Sequence, residues 1–449
     1  MRKFSPGAVL ACAVVVMAMP WIAAPAKAAE VYPGCAAPPA SYHHAWLANP
    51  STLASVLPKA NGGDVIYLTD GDYGRVHLNG INSAFVTLVA AKGQTPMFSA
   101  LTIRGSHWAV RGITVVGLSP PGLFGKWRAH LPLVRIDGGD NFILDNNTIA
   151  SRLGDYPWAE ESPGNPDQAA VSDGILANQS ACVSIVGNHL SNVFNGMRLA
   201  GDQAGDHGRF YLVTGNTIDD FAGDGIDHSI SDALIAHNTI TNAHDICHGH
   251  CIHMDGIQGW NYNDRLGILN HDVVIDGNRI VVQARPSLIF PADALQGITI
   301  FDGYWKDVKV INNIVLTDVW HGITIAGVDG LLIANNTVLA TTNRKTWILV
   351  GGRTHEGGVS ENVIVANNIA TSIQTARTRS PPAHMKLDRN LQTAEPEALF
   401  VAFDVAHLRY NLRLKPRGRA VGKADPKYAP KLDIDGQPRY PPISPGAYR

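Results

Sequence analysis

A short phrase returns along this chain at irregular intervals: an Asn, a variable residue, then an aliphatic one, usually preceded by Gly, Asn or His. It reads NNTI at Asn147 and Ile149, GNHL at Asn188, GNTI at Asn216, HNTI at Asn238 and GNRI at Asn278, then loosens to NNIV at Asn313, NNTV at Asn336 and NNIA at Asn368. Successive Asn positions lie 41, 28, 22, 40, 35, 23 and 32 residues apart. The shortest gaps approximate one structural repeat, and the surplus in the others reads as inserted loops. Each unit carries a β-rich segment such as FILDNNTI or VVIDGNRI, a turn, and a second short strand opening with Gly and an aliphatic residue. None carries the helical periodicity that a βαβ crossover needs. Successive strands are therefore expected to stack in parallel, one turn above the last, with aliphatic residues inside and Asn bonding its neighbour's backbone at a corner. The predicted fold is all-β: a right-handed parallel β-helix of about ten or more coils, with loop insertions and a C-terminal cap.

Residues 1–28 read as a cleaved secretory signal: Arg2 and Lys3, an apolar run, then Ala26-Lys27-Ala28. The expected location is periplasmic or extracellular, and no later segment is apolar enough for a membrane span. Loss of Arg2, Lys3 and Lys27 leaves 33 basic residues against 38 acidic, a net charge near −5 that argues against a nucleic-acid partner. Residues 29–449 are expected to form a single β-helix domain, because a solenoid grows by adding coils. Residues 64–80 and 101–117 supply early coils, and Arg111-Gly112-Ile113 falls where the Asn phrase would stand. A polar loop over residues 155–168, with Trp158 at its tip, interrupts the stack. Residues 371–449 form the terminal coils and cap.

The opening VIYLTDGDY resembles the first coil of the pectate-lyase-like superfamily, whose coils are repeats of the PbH1 type. The closing ALFVAF, YNLRLKP, DIDGQPR and PGAYR resemble the terminal cap of its secreted bacterial members. With the Asn-x-Ile coils between, the resemblance covers nearly the whole mature chain. It implies the fold and export, and carbohydrate chemistry by analogy.

Function has to come from a site, and alignment of the second strands by their Gly-aliphatic pair gives one. The segments are DGILAN, NGMRLA, DGIDHS, DGIQGW, QGITIF and HGITIA. Alternation sends the residue after the aliphatic one outward, predicting an exposed column of Leu176, Arg198, Asp227, Gln258, Thr299 and Thr324. Two residues on, a second column holds Asn178, Ala200, Ser229, Trp260, Phe301 and Ala326. Ahead of each Gly stands a third: Asp173, Asn195, Asp224, Asp255, Gln296 and His321. Asp-Gly and Asn-Gly are also ordinary turn pairs, but Arg198 and Asp227 fall inside strands, where Asp is disfavoured. A polar centre beside Trp260 and Phe301, with Tyr304 and Trp305 in a nearby loop, suits a sugar chain lying in a groove. Asn195, Gln258 and His321 complete the expected substrate contacts.

HDICHGHCIHMDG, residues 244–256, concentrates four His, two Cys and two Asp. In an exported protein a Cys247–Cys251 disulfide is the leading expectation, leaving Cys35 and Cys182 to pair or stay free. A transition-metal site at His248, His250 and His253 is the rival.

Two mechanisms fit. A lyase acting on a uronic-acid polymer by β-elimination would use Arg198 to neutralise the carboxylate and His228 or His253 as base. Asp224, Asp227 and Asp255 would then collect calcium, although alternation turns His228 inward. A hydrolase would instead use a pair from Asp224, Asp227 and Asp255; the order GDGID then CHGHC is similar to the polygalacturonase-like hydrolases. NGMRLAG resembles a piece of the signature of chondroitinase- and alginate-lyase-type β-helices, whose Lys-rich part is absent. The reading favoured from sequence is a secreted polysaccharide lyase, with a hydrolase, a C5-epimerase and a non-catalytic glycan-binding adhesin as alternatives.

Overall fold

The computed structural model describes residues 30–117, 131–155, 171–200, 208–245, 253–261, 269–286, 295–352, 359–374 and 382–449. Through them the chain winds as a right-handed parallel β-helix. Strands of successive coils pair in parallel into one sheet of twenty strands and another of twelve, and Phe400–Asp404 pairs antiparallel with Arg409–Leu414 in the terminal segment. Trp158, the signal segment, Cys247, Cys251, His248 and His250 lie outside the described residues. No helix of the described residues is long and apolar enough to cross a membrane.

The recurring phrase has two physical halves. Its first residue sits in left-handed backbone: φ is +65° at Gly187, +66° at Gly215, +53° at His237, +64° at Gly277 and +56° at Asn312. That region excludes most side chains and favours Gly and Asn, with His tolerated. Its second residue is a buried Asn in a continuous ladder. The backbone N–H and Nδ2 of Asn147 both donate to Oδ1 of Asn188, at 3.0 and 2.9 Å. The same pair of bonds joins Asn188 to Asn216, Asn216 to Asn238 and Asn238 to Asn278. It continues through Asn313, Asn336 and Asn368 to Asn390, one rung beyond the phrases visible in sequence. The remaining Nδ2 hydrogen reaches a carbonyl of the preceding coil, Val213 O for Asn238 at 2.9 Å. Only a carboxamide offers an acceptor and two donors on so short a stem. Before the ladder begins, Gly112 takes the left-handed position (φ +66°) and Ile113 N–H donates to Asn147 Oδ1, as the alignment of Arg111-Gly112-Ile113 implied.

Inside the coil, Met197, Ile226, Ile257, Ile298, Ile323 and Ile348 stack in register, each at most 1% exposed. The Gly before each of the first five is required by close approach rather than by φ. A Cβ at Gly196 would meet Gly225 O at 2.4 Å, and one at Gly225 would meet Gly256 O at 2.5 Å.

The described disulfide joins Cys35 to Cys182 and straps the N-terminal segment across the coils. Ala36 N–H donates to Asn141 Oδ1, and Tyr32 packs on Phe210 with ring centroids 5.8 Å apart. The C-terminal segment packs against the flank of the helix. Leu399, Phe400, Leu412, Ile434 and Ala447 cover Ile314, Leu316, Leu339 and Ile369, and Arg439 Nη2 donates to Asn312 Oδ1 at 3.0 Å.

Candidate active site

The first outward column forms as the alternation predicts. Leu176 pairs with Arg198, Arg198 with Asp227, Asp227 with Gln258, Gln258 with Thr299, and Thr299 with Thr324. Toward the N-terminus it continues through Arg135 and Thr102. Arg135, Leu176, Arg198 and Gln258 are half-buried, whereas Thr299 and Thr324 are covered. The accessible part of the column therefore centres on Arg198, with Asp227 beside it only 8% exposed.

The third column is a second ladder, made of acids as well as amides. Asn195 donates its backbone N–H and Nδ2 to Asp173 Oδ1, at 3.1 and 3.0 Å. Asp224 N–H donates to Asn195 Oδ1, and Asp255 N–H to Asp224 Oδ1, both at 2.9 Å. Register thus brings Asp173, Asp224, Asp227 and Asp255 into one patch with Arg198. The Arg198 guanidinium lies 3.6 Å from Asp173 and 3.8 Å from Asp227. Trp260 donates its indole N–H to Asp227. Asp255, 1% exposed, accepts from the Thr299 hydroxyl at 2.7 Å and from Gln258 Nε2 at 3.3 Å.

Crowding acids in a poorly solvated place favours their protonated forms. Burial, then the charges of Asp255 and Asp227, push the Asp224 carboxyl well above the ordinary carboxylate range. Burial lifts Asp227 to about 6, with the Trp260 hydrogen bond and Arg198 opposing and Asp173 adding to the rise. Burial also lifts Asp255 to about 7, opposed by the Thr299 hydrogen bond and helped by Asp227. A patch that holds protons near neutrality while keeping a guanidinium alongside can exchange protons with a bound molecule.

Several expected residues stand elsewhere. His228 points into the solenoid, fully buried, with neither ring nitrogen hydrogen-bonded and its ring edge-on to Trp305 at 5.5 Å. Burial pulls its pKa down to about 3, so it is a core residue and not a base. Trp305 is likewise fully buried, in the strand Trp305–Ile311 rather than a loop, with its indole N–H on Asp302 O; it is no sugar platform. Trp260 does not continue the second column to Phe301, because the register shifts after Gly259 and sets Trp260 opposite Asp302. His253 is exposed just ahead of the strand Met254–Trp260 and has no hydrogen bond to the carboxyl patch among the described residues. Tyr304 is half-buried at a turn whose carbonyl accepts from Asn261.

Phe301 and His321 do come together, with ring centroids 5.1 Å apart. Trp347 and the 42% exposed Trp320 pack edge-on to the same His321. His321 Nδ1 bonds the Thr324 hydroxyl at 2.9 Å. Alignment carried Asp173 and Thr299 in the columns without marking them as site residues, and the network of Arg198, Asp173 and Asp255 brings both in. Trp320 and Trp347 lie just outside the aligned segments and carried no periodic signal.

As a calcium set, Asp224, Asp227 and Asp255 do not bring one oxygen each within 4.8 Å of one another. Among the described residues the group that converges so closely is Asp232, His271 and Asp272, away from this patch.

No family model and no curated protein matches the chain. Solved structures similar to it include pectate lyase Pel9A, at 12% identity over 91% of this chain and 97% of that one, TM-score 0.46. Others are the catalytic domain of a GH87 alpha-1,3-glucanase (15%, 83% and 70%, TM-score 0.42) and PfbA, a surface adhesin of Streptococcus pneumoniae (11%, 76% and 84%, TM-score 0.39). The fold stands on this chain's own strand pairing.

Proposed function

We propose that this chain is an exported carbohydrate-active enzyme, periplasmic or extracellular, that cleaves an acidic, uronate-bearing polysaccharide by hydrolysis. The observation that carries the reading is the carboxyl patch: Asp224, whose carboxyl burial and neighbouring acids push well above the ordinary range, beside Asp227, which ionises at about 6. Asp224 is half-buried and keeps its second oxygen beyond the ladder bond, so it is the proton donor to the departing glycosidic oxygen. Asp227, steadied by the Trp260 indole and Arg198, takes a proton from the attacking water. Asp255 is too buried to meet the sugar; as it ionises, its charge raises the neighbouring Asp224 carboxyl further. Arg198, 40% exposed and not tightly paired, faces a carboxylate of the substrate. Phe301, His321 and Trp320 offer apolar ring surface for a neighbouring sugar.

A second reading is β-elimination, favoured by the same Arg198 beside Asp227: guanidinium and carboxylate would supply the neutraliser and the base that a lyase needs. A C5-epimerase would share that proton abstraction. Calcium enters neither scheme as the acids are arranged, since each uses only their protons.

The test is incubation of the mature protein with acidic and neutral polysaccharides, with calcium or with chelator, following reducing ends and ultraviolet absorbance together. New ends without absorbance support hydrolysis. New ends with absorbance replace it by elimination, and binding without new ends would make the chain a glycan-binding solenoid.

A further inference from the structure

The accessible column carries a second guanidinium. Arg135 and Arg198 both pair with Leu176, from opposite sides, so they face outward on one line two strands apart, roughly 10 Å between backbones at the usual strand spacing. Both side chains are 40% exposed. Neither has an acid to itself. Arg198 stands at 3.6 and 3.8 Å from its carboxylates, longer than a tight charged bond. Arg135 shares the one carboxylate of Asp137 with Arg104, at 3.0 and 2.9 Å, and its Nε has no hydrogen-bond partner. The patch around Asp137 is thus in cationic excess, and Leu176 lays an apolar floor between the two guanidiniums.

A uronate chain extended as a two-fold ribbon advances by about one strand spacing per sugar, and its successive units turn their carboxylates to opposite sides. Carboxylates on one side therefore recur two units apart, matching the two-strand interval from Arg198 to Arg135. We infer that Arg135 is a second anion-binding position, which receives a carboxylate of the same polymer two sugars from the one at Arg198. The chain then lies lengthwise on the coil, with its anionic stretch over Leu176 toward the N-terminal coils and its other end toward Phe301 and His321. The inference rests on the reading of Arg198 as facing an anionic sugar.

The experiment compares wild type, Arg135→Gln and Arg135→Lys on an unbranched polyuronate and its size-fractionated oligomers, reading reducing-end release at two ionic strengths. For Arg135→Gln we expect KM on the polymer to rise about tenfold, the value of one lost charged hydrogen bond, with the loss smallest on the shortest oligomer cleaved. The salt dependence of KM should weaken, and Arg135→Lys should recover part of the affinity. An active wild type with Arg135→Gln unchanged, or with a loss independent of chain length, overturns this inference alone. A wild type inert on every polyuronate overturns the anionic-substrate reading and the inference with it.

Discussion

Replacing Asp255 by Asn tests whether the patch stores a proton. Asp255 is 1% exposed, and its carboxyl is lifted from the ordinary 3.8 to about 7 by burial and by Asp227. A carboxyl whose pKa is raised on folding binds its proton more tightly in the native state. Its contribution is fully favourable below the unfolded value and is lost as pH rises through the folded one. At about 1.4 kcal/mol per unit, the shift amounts to at most about 4 kcal/mol, of which about 2.5 develops between about pH 5 and about pH 8. Asn keeps the volume and the Oδ1 that accepts from Thr299 at 2.7 Å, but does not titrate. Urea unfolding followed by circular dichroism, on wild type and Asp255→Asn at both pH values, reads the difference directly. Wild type should lose more stability toward pH 8 than the variant, by roughly 2.5 kcal/mol. Parallel pH dependence in the two proteins would refute the claim that Asp255 is buried with its proton.

Three further outcomes follow from the same geometry. Activity should rise through about pH 6 as Asp227 ionises and fall again as Asp224 loses its proton; Arg198→Gln, removing a charge that lowers the Asp227 pKa, should move the acid limb to higher pH in a pH–rate profile. Asn238→Ala strips Asn216 N–H, Asn216 Nδ2 and Val213 O of their partners in a fully buried place, so thermal or urea unfolding should show a loss of at least about 3 kcal/mol or no soluble protein. Peptide mapping without reduction should recover Cys35 linked to Cys182; at a sequence separation of 147, the chain-entropy gain is at most about 5 kcal/mol, and Cys35→Ser should leave the N-terminal strap open to limited proteolysis.

The winding was legible because it is written twice. The left-handed position selects Gly, Asn or His, and the ladder position admits only Asn, so two adjacent constraints recur once per coil and survive loops of any length. The outward column was legible for the same reason: alternation is rigid while a strand lasts. It failed where the strand changed register, as at Trp260 and Asp302, since a bulge leaves no mark in an apolar-polar pattern. His228 and Trp305 were misread through chemistry rather than pattern. Polar and amphipathic rings suggest function, yet this core is wide enough to bury both, edge against face. The Cys35–Cys182 partnership joins positions 147 residues apart, and spacing along the chain carries no information about such a contact.

The acids of the site are tolerated because they do the backbone service that Asn does in the interior. Asp173, Asn195 and Asp224 each lend one oxygen to the N–H of the next rung, and Asn195 shows that an amide serves equally well there. Ladder and chemistry can therefore be separated at one atom. Asp224→Asn retains Oδ1 for Asp255 N–H and loses only the titratable proton, so it should fold with wild-type cooperativity and release no reducing ends. Asp224→Ala removes both and should be less stable by about 1–3 kcal/mol, the cost of the orphaned N–H. A folded Asp224→Asn with wild-type turnover would reduce Asp224 to a ladder residue and leave the hydrolytic reading without its general acid.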